Sequence, residues 1–167
     1  MTDMGVKAHA CHTRSTKTPR KGHGMSVDKE EISRTVLELD KEFNERWSNG
    51  DNRGYLDAYT DDATYFEPAV KKMIVGKDKI IAWIDSIYFN EHIVRNEYLN
   101  PRVHVNGSGD FALMAYNLNT YIVDEKGKEQ LNCAWNTSHG YRLIDGQWRI
   151  VHSNWALTQT STEETTS

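Results

Sequence analysis

The first regular pattern of apolar and polar positions spans residues 30–49. Its large apolar side chains recur at steps of three and four residues, at Ile32, Val36, Leu39, Phe43 and Trp47. These positions form one stripe on a helical surface, so the segment predicts an amphipathic helix. Gly50 can supply the left-handed residue that ends this helix, and Asp51 can cap a second, short helix that continues through Tyr59.

Shorter patterns follow the first two helices. Residues 63–67 predict a strand that Pro68 ends, and residues 73–75 predict a short returning strand. Asp78 can cap a third helix that runs to about Phe89. The buried face of this helix is predicted to comprise Ile80, Trp83, Ile84 and Ile87.

The second half of the chain predicts long strands joined by tight turns. The candidate strands are residues 92–105, 111–123, 129–144 and 147–157. The segments between them carry the Gly, Asn or Asp residues that a positive backbone φ requires. Because the helices precede a long meander, the predicted fold class is α+β. We expect a cone-shaped, curved antiparallel sheet wrapped around an N-terminal helical hairpin plus a third helix.

Composition divides the 167 residues into one domain and two tails. Residues 1–26 contain almost no large apolar side chains and predict a disordered basic arm, with an organelle transit peptide as the alternative. Residues 27–157 form the predicted domain. Residues 158–167 are mostly Thr, Ser and Glu and predict a disordered tail.

Charge and cysteine content narrow the expected partners and location. The net charge is −4, which argues against a nucleic-acid partner. The chain lacks the run of about 18 apolar residues that a membrane helix needs, so no membrane partner is expected. Two cysteines do not make a disulfide framework, and a cytoplasmic location is predicted.

No sequence motif indicates a metal or a cofactor. The chain has no Gly-rich phosphate loop, no GxSxG and no HExxH. The spacing of His9, Cys11, His12 and His23 in the arm fits no standard zinc pattern. We therefore expect neither a metal nor a cofactor.

Several short motifs occur in the order found in a known family. They are Ser48-Asn49-Gly50-Asp51, Phe66-Glu67-Pro68, Tyr88-Phe89-Asn90, Leu99-Asn100-Pro101 with Val103-His104-Val105, Ala115-Tyr116, and Asp145-Gly146 with Trp148, Ile150, Val151 and His152. Together they resemble the nuclear transport factor 2-like (SnoaL-like) superfamily, and most closely the association (hub) domain of calcium/calmodulin-dependent protein kinase II. We expect a free-standing domain, because these 167 residues leave no room for a kinase domain.

The resemblance implies particular partners and a pocket. Hub-like behaviour implies homo-oligomers, from dimers up to rings, that form through the outer face of the sheet; co-assembly with a kinase hub stays open. Hub domains also take small carboxylates in a pocket lined by arginines. Alignment on the motifs places those arginine positions at Leu118, His139 and Trp155. Since none is arginine, the bidentate carboxylate clamp is missing, and we expect a neutral or aromatic ligand instead.

Strand alternation extends this pocket, because residues two positions apart on a strand face the same way. The first helix and the first hairpin add further side chains. The predicted pocket residues are Trp47, Tyr65, Tyr116, Leu118, Trp135, His139 and Trp155.

An enzymatic alternative follows from the same resemblance. Relatives on this cone include ketosteroid isomerase-like, SnoaL-like cyclase and scytalone dehydratase-like proteins, which move protons next to a carbonyl or hydroxyl. His139 could act as the base and Tyr116 could polarise a carbonyl oxygen, in a cofactor-free isomerase, dehydratase or hydrolase. The competing interpretation is that the two side chains satisfy each other's hydrogen bonds inside the domain.

Two further residues receive structural interpretations. His152 shares strand parity with Trp148 and Ile150, which predicts a packing or interface role. Glu67 precedes Pro68, and we expect it to bond to the backbone of the hairpin or to reach an oligomer contact.

Overall fold

The computed structural model describes residues 27–87 and 92–160. The predicted arm at residues 1–26, the motif at residues 88–90 and residues 161–167 of the predicted tail lie outside this part of the chain. The elements are α1 (Lys29–Ser48), α2 (Arg53–Leu56), β1 (Tyr59–Phe66), β2 (Ile74–Val75), α3 (Lys77–Ser86), β3 (Arg95–Val105), β4 (Phe111–Val123), β5 (Glu129–Ile144) and β6 (Gln147–Thr160).

Helix α1 is fixed at both ends by local chemistry. The Asp28 carboxylate accepts hydrogen bonds from the backbone N–H groups of Glu30 and Glu31, which would otherwise lack partners. Gly50, with φ of 82°, follows the helix in the left-handed region. The inward face of α1 is not wholly apolar, because it buries Asp40 and Asn44 beside Val36 and Phe43.

The six strands form one curved sheet in the order β2-β1-β6-β5-β4-β3. Helix α1 packs against β3 and β4, and α3 packs against β1. The fold is therefore α+β as predicted, with the helices inside a bent sheet. Register shifts occur in the β3–β4, β4–β5 and β5–β6 pairs, as expected for long strands that bend.

One strand pair departs from the predicted antiparallel arrangement. Strands β1 and β6 run parallel, whereas every other neighbouring pair is antiparallel. The meander returns to the first hairpin, and its last strand lies beside β1 instead of forming a free edge. This closure brings the β1 side chains next to those of β6.

Element ends differ from the predictions at a few places. Helix α2 ends at Leu56, and β1 already begins at Tyr59. Strand β6 continues to Thr160, so the first three residues of the predicted tail belong to the sheet. The Thr158 hydroxyl donates to the Ala134 carbonyl oxygen at 2.8 Å, which extends the β5–β6 pairing. Within the described ranges, no helix is long and apolar enough to cross a membrane.

A bulge in β6 changes which residues face inward. Gly140 pairs with His152 and Tyr141 pairs with Ile150, so Val151 has no partner on β5. Ile150 and Ser153 are consequently both buried, although they are three residues apart. His152 faces outward and its Nδ1 lies 2.7 Å from the Thr64 hydroxyl. Simple alternation places His152 and Ile150 on the same face of β6, and this prediction was wrong. The sequence does not show the bulge that separates them.

Candidate functional site

A buried carboxylate lies at the centre of the domain. Asp40, in the middle of α1, is 0% exposed. Its Oδ2 accepts hydrogen bonds from the hydroxyls of Tyr98 at 3.0 Å and Tyr116 at 2.7 Å. Its Oδ1 accepts a hydrogen bond from the Tyr141 hydroxyl at 2.6 Å. Three hydroxyl donors from three strands thus replace the water that burial removes from the carboxylate.

His139 extends this network towards β6. Its Nε2 lies 3.4 Å from the Tyr116 hydroxyl and 3.7 Å from Asp40 Oδ1. Its Nδ1 lies 2.7 Å from the Ser153 hydroxyl, which also contacts the Tyr59 hydroxyl at 2.8 Å. A proton on Nε2 faces the carboxylate, whereas a lone pair there would face it unfavourably. The arrangement that satisfies every group therefore has Tyr59 donating to Ser153, and Ser153 donating to Nδ1.

Burial determines the protonation of this network. Desolvation lowers the pKa of His139 and outweighs the charge of Asp40, which raises it. Desolvation, followed by the charge of Asp40, raises the pKa values of Tyr116 and Tyr141 well above the usual value for tyrosine. At neutral pH the histidine is uncharged and the tyrosines keep their protons, so they remain hydrogen-bond donors. We call Asp40, Tyr98, Tyr116, Tyr141, His139, Ser153 and Tyr59 the Asp40 network.

A cavity of about 120 Å³ lies between the helices and the sheet, beside the Asp40 network. Its size approaches the roughly 150 Å³ of an engineered apolar cavity that holds benzene. Aromatic rings make up much of its wall. The lining residues are Asn44, Trp47, Tyr55, Leu56, Tyr59, Tyr65, Glu67, Ile84, Ile93, Leu118, Thr120, Asn132, Cys133, Trp135 and Trp155.

The structure brings five of the seven predicted pocket residues to the cavity wall. They are Trp47, Tyr65, Leu118, Trp135 and Trp155. The Trp135 and Trp155 rings meet edge to face at 6.0 Å, with an interplanar angle of 84°. This perpendicular arrangement directs aromatic faces to more than one side of the space.

The other two predicted residues, Tyr116 and His139, are placed differently. Both face inward as strand alternation predicts, but α1 and α2 fill the space in front of them. The Tyr55 ring stacks on His139 with centroids 5.7 Å apart, and the Trp155 ring approaches it edge-on at 5.1 Å. His139 is 0% exposed, and neither residue lines the cavity. They instead belong to the network behind its wall.

The sequence analysis missed two residues, Asp40 and Tyr55, that connect the cavity wall with the Asp40 network. Asp40 lies between Val36 and Phe43 on the apolar stripe of α1, and a charge in that position was the available signal. Tyr55 lines the cavity, and its buried hydroxyl has no hydrogen-bond partner among the described residues. Nothing in the spacing of this tyrosine distinguished it from an ordinary core residue.

Glu67 has a different environment from the one predicted. Its Oε1 accepts a hydrogen bond from the Trp83 indole N–H at 2.8 Å, and the side chain lines the cavity. Partial burial raises the pKa of Glu67, although the Trp83 hydrogen bond opposes this change. The expected backbone contact at the hairpin is thus replaced by a side-chain contact with α3.

Solved structures show where else this fold occurs. A Parabacteroides distasonis protein provisionally assigned as a ketosteroid isomerase is 20% identical, with a TM-score of 0.66 over 81% of this chain and 94% of that one. The association domain of C. elegans CaMKII is 24% identical, with a TM-score of 0.63 over 76% and 96%. The CaMKII hub homology domain of Chlamydamonas reinhardtii is 20% identical, with a TM-score of 0.63 over 76% and 98%.

These identities establish the shared fold and no shared activity. A comparison with curated proteins returned no match. The family model described as a SnoaL-like domain matches residues 36–156, which is most of the chain. The protein therefore belongs to the SnoaL-like family, on the nuclear transport factor 2-like fold.

Proposed function

We propose that the protein is a homo-oligomerising, hub-like module whose cavity binds a small neutral or aromatic ligand. The observation that carries this proposal is an aromatic cavity beside a buried polar network that is already satisfied internally. The network holds the wall in place, and the rings of the wall are left to contact a ligand.

The wall of the cavity is preorganised for binding. The Asp40 network ties α1 to β3, β4 and β5, so the tyrosines behind the wall have fixed positions. A ligand entering the cavity would meet ordered rings and would not need to order them. Preorganisation of this kind lowers the cost of binding.

The outer face of the sheet supports the self-association half of the proposal. Phe111 and Leu113, two residues apart on the outer face of β4, are 37% and 40% exposed. The Phe111 ring lies beside Gly140 on the neighbouring strand. Large apolar groups on one sheet face, together with polar neighbours such as Asn117, suit an interface between two copies.

The enzymatic alternative with His139 and Tyr116 receives less support from the geometry. A general base must reach its substrate proton within about 2.6–3.2 Å or through one water. Both ring nitrogens of His139 already face partners in the Asp40 network, and Tyr55 covers the ring. The arrangement therefore favours the interpretation in which the two side chains satisfy the interior.

Two measurements on the full chain test the proposal. Light scattering at micromolar concentration should give at least twice the 19.2 kDa chain mass. Calorimetric titration with benzyl alcohol, a neutral single-ring probe, should give saturable binding. The Leu118→Trp variant should lose that binding because the larger side chain fills the cavity.

Val123→Trp provides the matched control, since Val123 is exposed at the end of the same strand. This variant should bind benzyl alcohol as the unmodified protein does, and circular dichroism should show that both variants are folded. A monomeric mass would contradict the association half of the proposal. Absence of saturable benzyl alcohol binding would contradict the ligand half.

A further inference from the structure

We propose that the cavity selects a small organic cation: a protonated amine attached to an apolar or aromatic body. This inference rests on the proposed function, since it names the charge class of the ligand that the same cavity would bind. Three features of the described residues lead to it: the charge on the cavity wall, the arrangement of its rings and the charge behind it.

The charge on the wall is negative. Glu67 is the only ionised side chain among the described lining residues, and no Lys, Arg or His accompanies it there. Its Oε1 is bonded to the Trp83 indole, whereas Oε2 has no hydrogen-bond partner within the described ranges. An ammonium group carries three N–H donors and no acceptor, so it is the natural counterpart of this free oxygen.

The rings of the wall are arranged like an aromatic cage. Tyr55 and Trp155 meet at 89° with centroids 5.8 Å apart, and Trp47 and Tyr55 meet at 70° with centroids 6.5 Å apart. Nearly perpendicular rings enclose a space with π-faces on different sides. A cation within about 6 Å of such a face is attracted by the ring quadrupole, and exclusion of water strengthens the attraction.

A second negative charge lies behind the wall. Among the described residues, the Asp40 carboxylate accepts hydrogen bonds only from neutral tyrosine hydroxyls, and the nearby His139 is uncharged because burial lowers its pKa. Burial is the main cause of the raised pKa of Tyr55, and the nearby charge of Asp40 raises it further. Burial is likewise the main cause of the raised pKa of Tyr65, with smaller contributions from Tyr59 and Glu67. The two carboxylates therefore disfavour an anion in the cavity and favour a cation.

A series of three probes with the same ring tests the inference by calorimetry at neutral pH. Benzylamine is protonated, benzyl alcohol is neutral and benzoate is an anion. We expect benzylamine to bind about tenfold more tightly than benzyl alcohol, the size of a desolvated cation–π and ion-pair contribution. Benzoate should bind more weakly than benzyl alcohol. If benzyl alcohol binds as well as benzylamine, the inference is overturned and the proposed ligand site stands.

Glu67→Gln isolates the carboxylate, because the amide oxygen can still accept the Trp83 hydrogen bond. The preference for benzylamine over benzyl alcohol should fall to less than about threefold in this variant. Glu125→Gln, at an exposed turn position, should leave the preference unchanged. An undiminished preference in Glu67→Gln would refute the role of this carboxylate. If none of the three probes binds, the proposed function fails together with the inference.

Discussion

The Asp40 network provides the most quantitative prediction, through the substitution Asp40→Asn. An aspartate offers two acceptor oxygens, and here they accept three tyrosine hydroxyls. An asparagine offers one oxygen and one NH₂ group. If the amide oxygen takes the Oδ2 position, the bonds from Tyr98 and Tyr116 remain, but the NH₂ group faces the Tyr141 hydroxyl. At least one donor must then turn away or remain unpaired.

The expected cost follows from the geometry. A hydrogen bond to a charged group contributes about 1.5–3 kcal/mol, so the loss at Tyr141 alone costs about 2 kcal/mol. The two remaining bonds lose their charge assistance, but loss of the buried charge also removes part of its desolvation penalty. We expect a net loss of about 3 kcal/mol in the free energy of unfolding, or about 10 °C in the melting temperature for a domain of this size.

Urea denaturation followed by tryptophan fluorescence measures this loss, at one protein concentration because association contributes to stability. Glu38→Gln is the matched control, since Glu38 lies on the same helix and forms an exposed pair with Lys41 at 3.0 Å. It should change the unfolding free energy by less than about 0.5 kcal/mol. If Asp40→Asn changes stability as little as the control, the carboxylate does not organise the interior and the reasoning is refuted.

Three further predictions follow from particular sites. Because burial lowers the pKa of His139 below 6.5, the unfolded chain gains a proton first as pH falls; the unfolding free energy should therefore decrease between about pH 7 and pH 5, less steeply in His139→Gln. Gly109→Ala should destabilise the protein more than Gly127→Ala in urea denaturation. Both positions have positive φ, but a Cβ at Gly109 would lie 2.6 Å from Val27 Cγ1, whereas nothing lies within 4 Å at Gly127. Leu113→Glu should reduce the mass in light scattering to that of a monomer, and an unchanged mass would exclude the outer face as the interface.

Local patterns were sufficient to predict most of the strands. The bounds of β4 and β5 match the predicted ranges because alternating apolar positions run between turns rich in Gly and Asp. The parallel β1–β6 pair could not be obtained in this way, since strand pairing between distant segments leaves no local pattern. The bulge at Val151 could not be predicted either, because no local sequence pattern marks it. This one unpaired residue reverses the inward and outward alternation of the β6 residues that follow it, as far as Leu157.

The site was harder to predict than the fold for a physical reason. Alternation identified Tyr116 and His139 as inward-facing, but it could not tell a cavity from a filled interior. That distinction depends on Asp40, which is brought to strands β3, β4 and β5 by tertiary packing. Only three-dimensional contacts reveal that Tyr98 and Tyr141 share this carboxylate with Tyr116.

The claim that the cavity is a ligand site is tested most directly by a crystal structure with para-bromobenzyl alcohol. Bromine gives an anomalous signal that locates the ring independently of the rest of the electron density. The account predicts a bromine peak inside the cavity, among Tyr55, Trp135 and Trp155. Bromine peaks only on the outer surface, with the cavity closed by side chains, would contradict it.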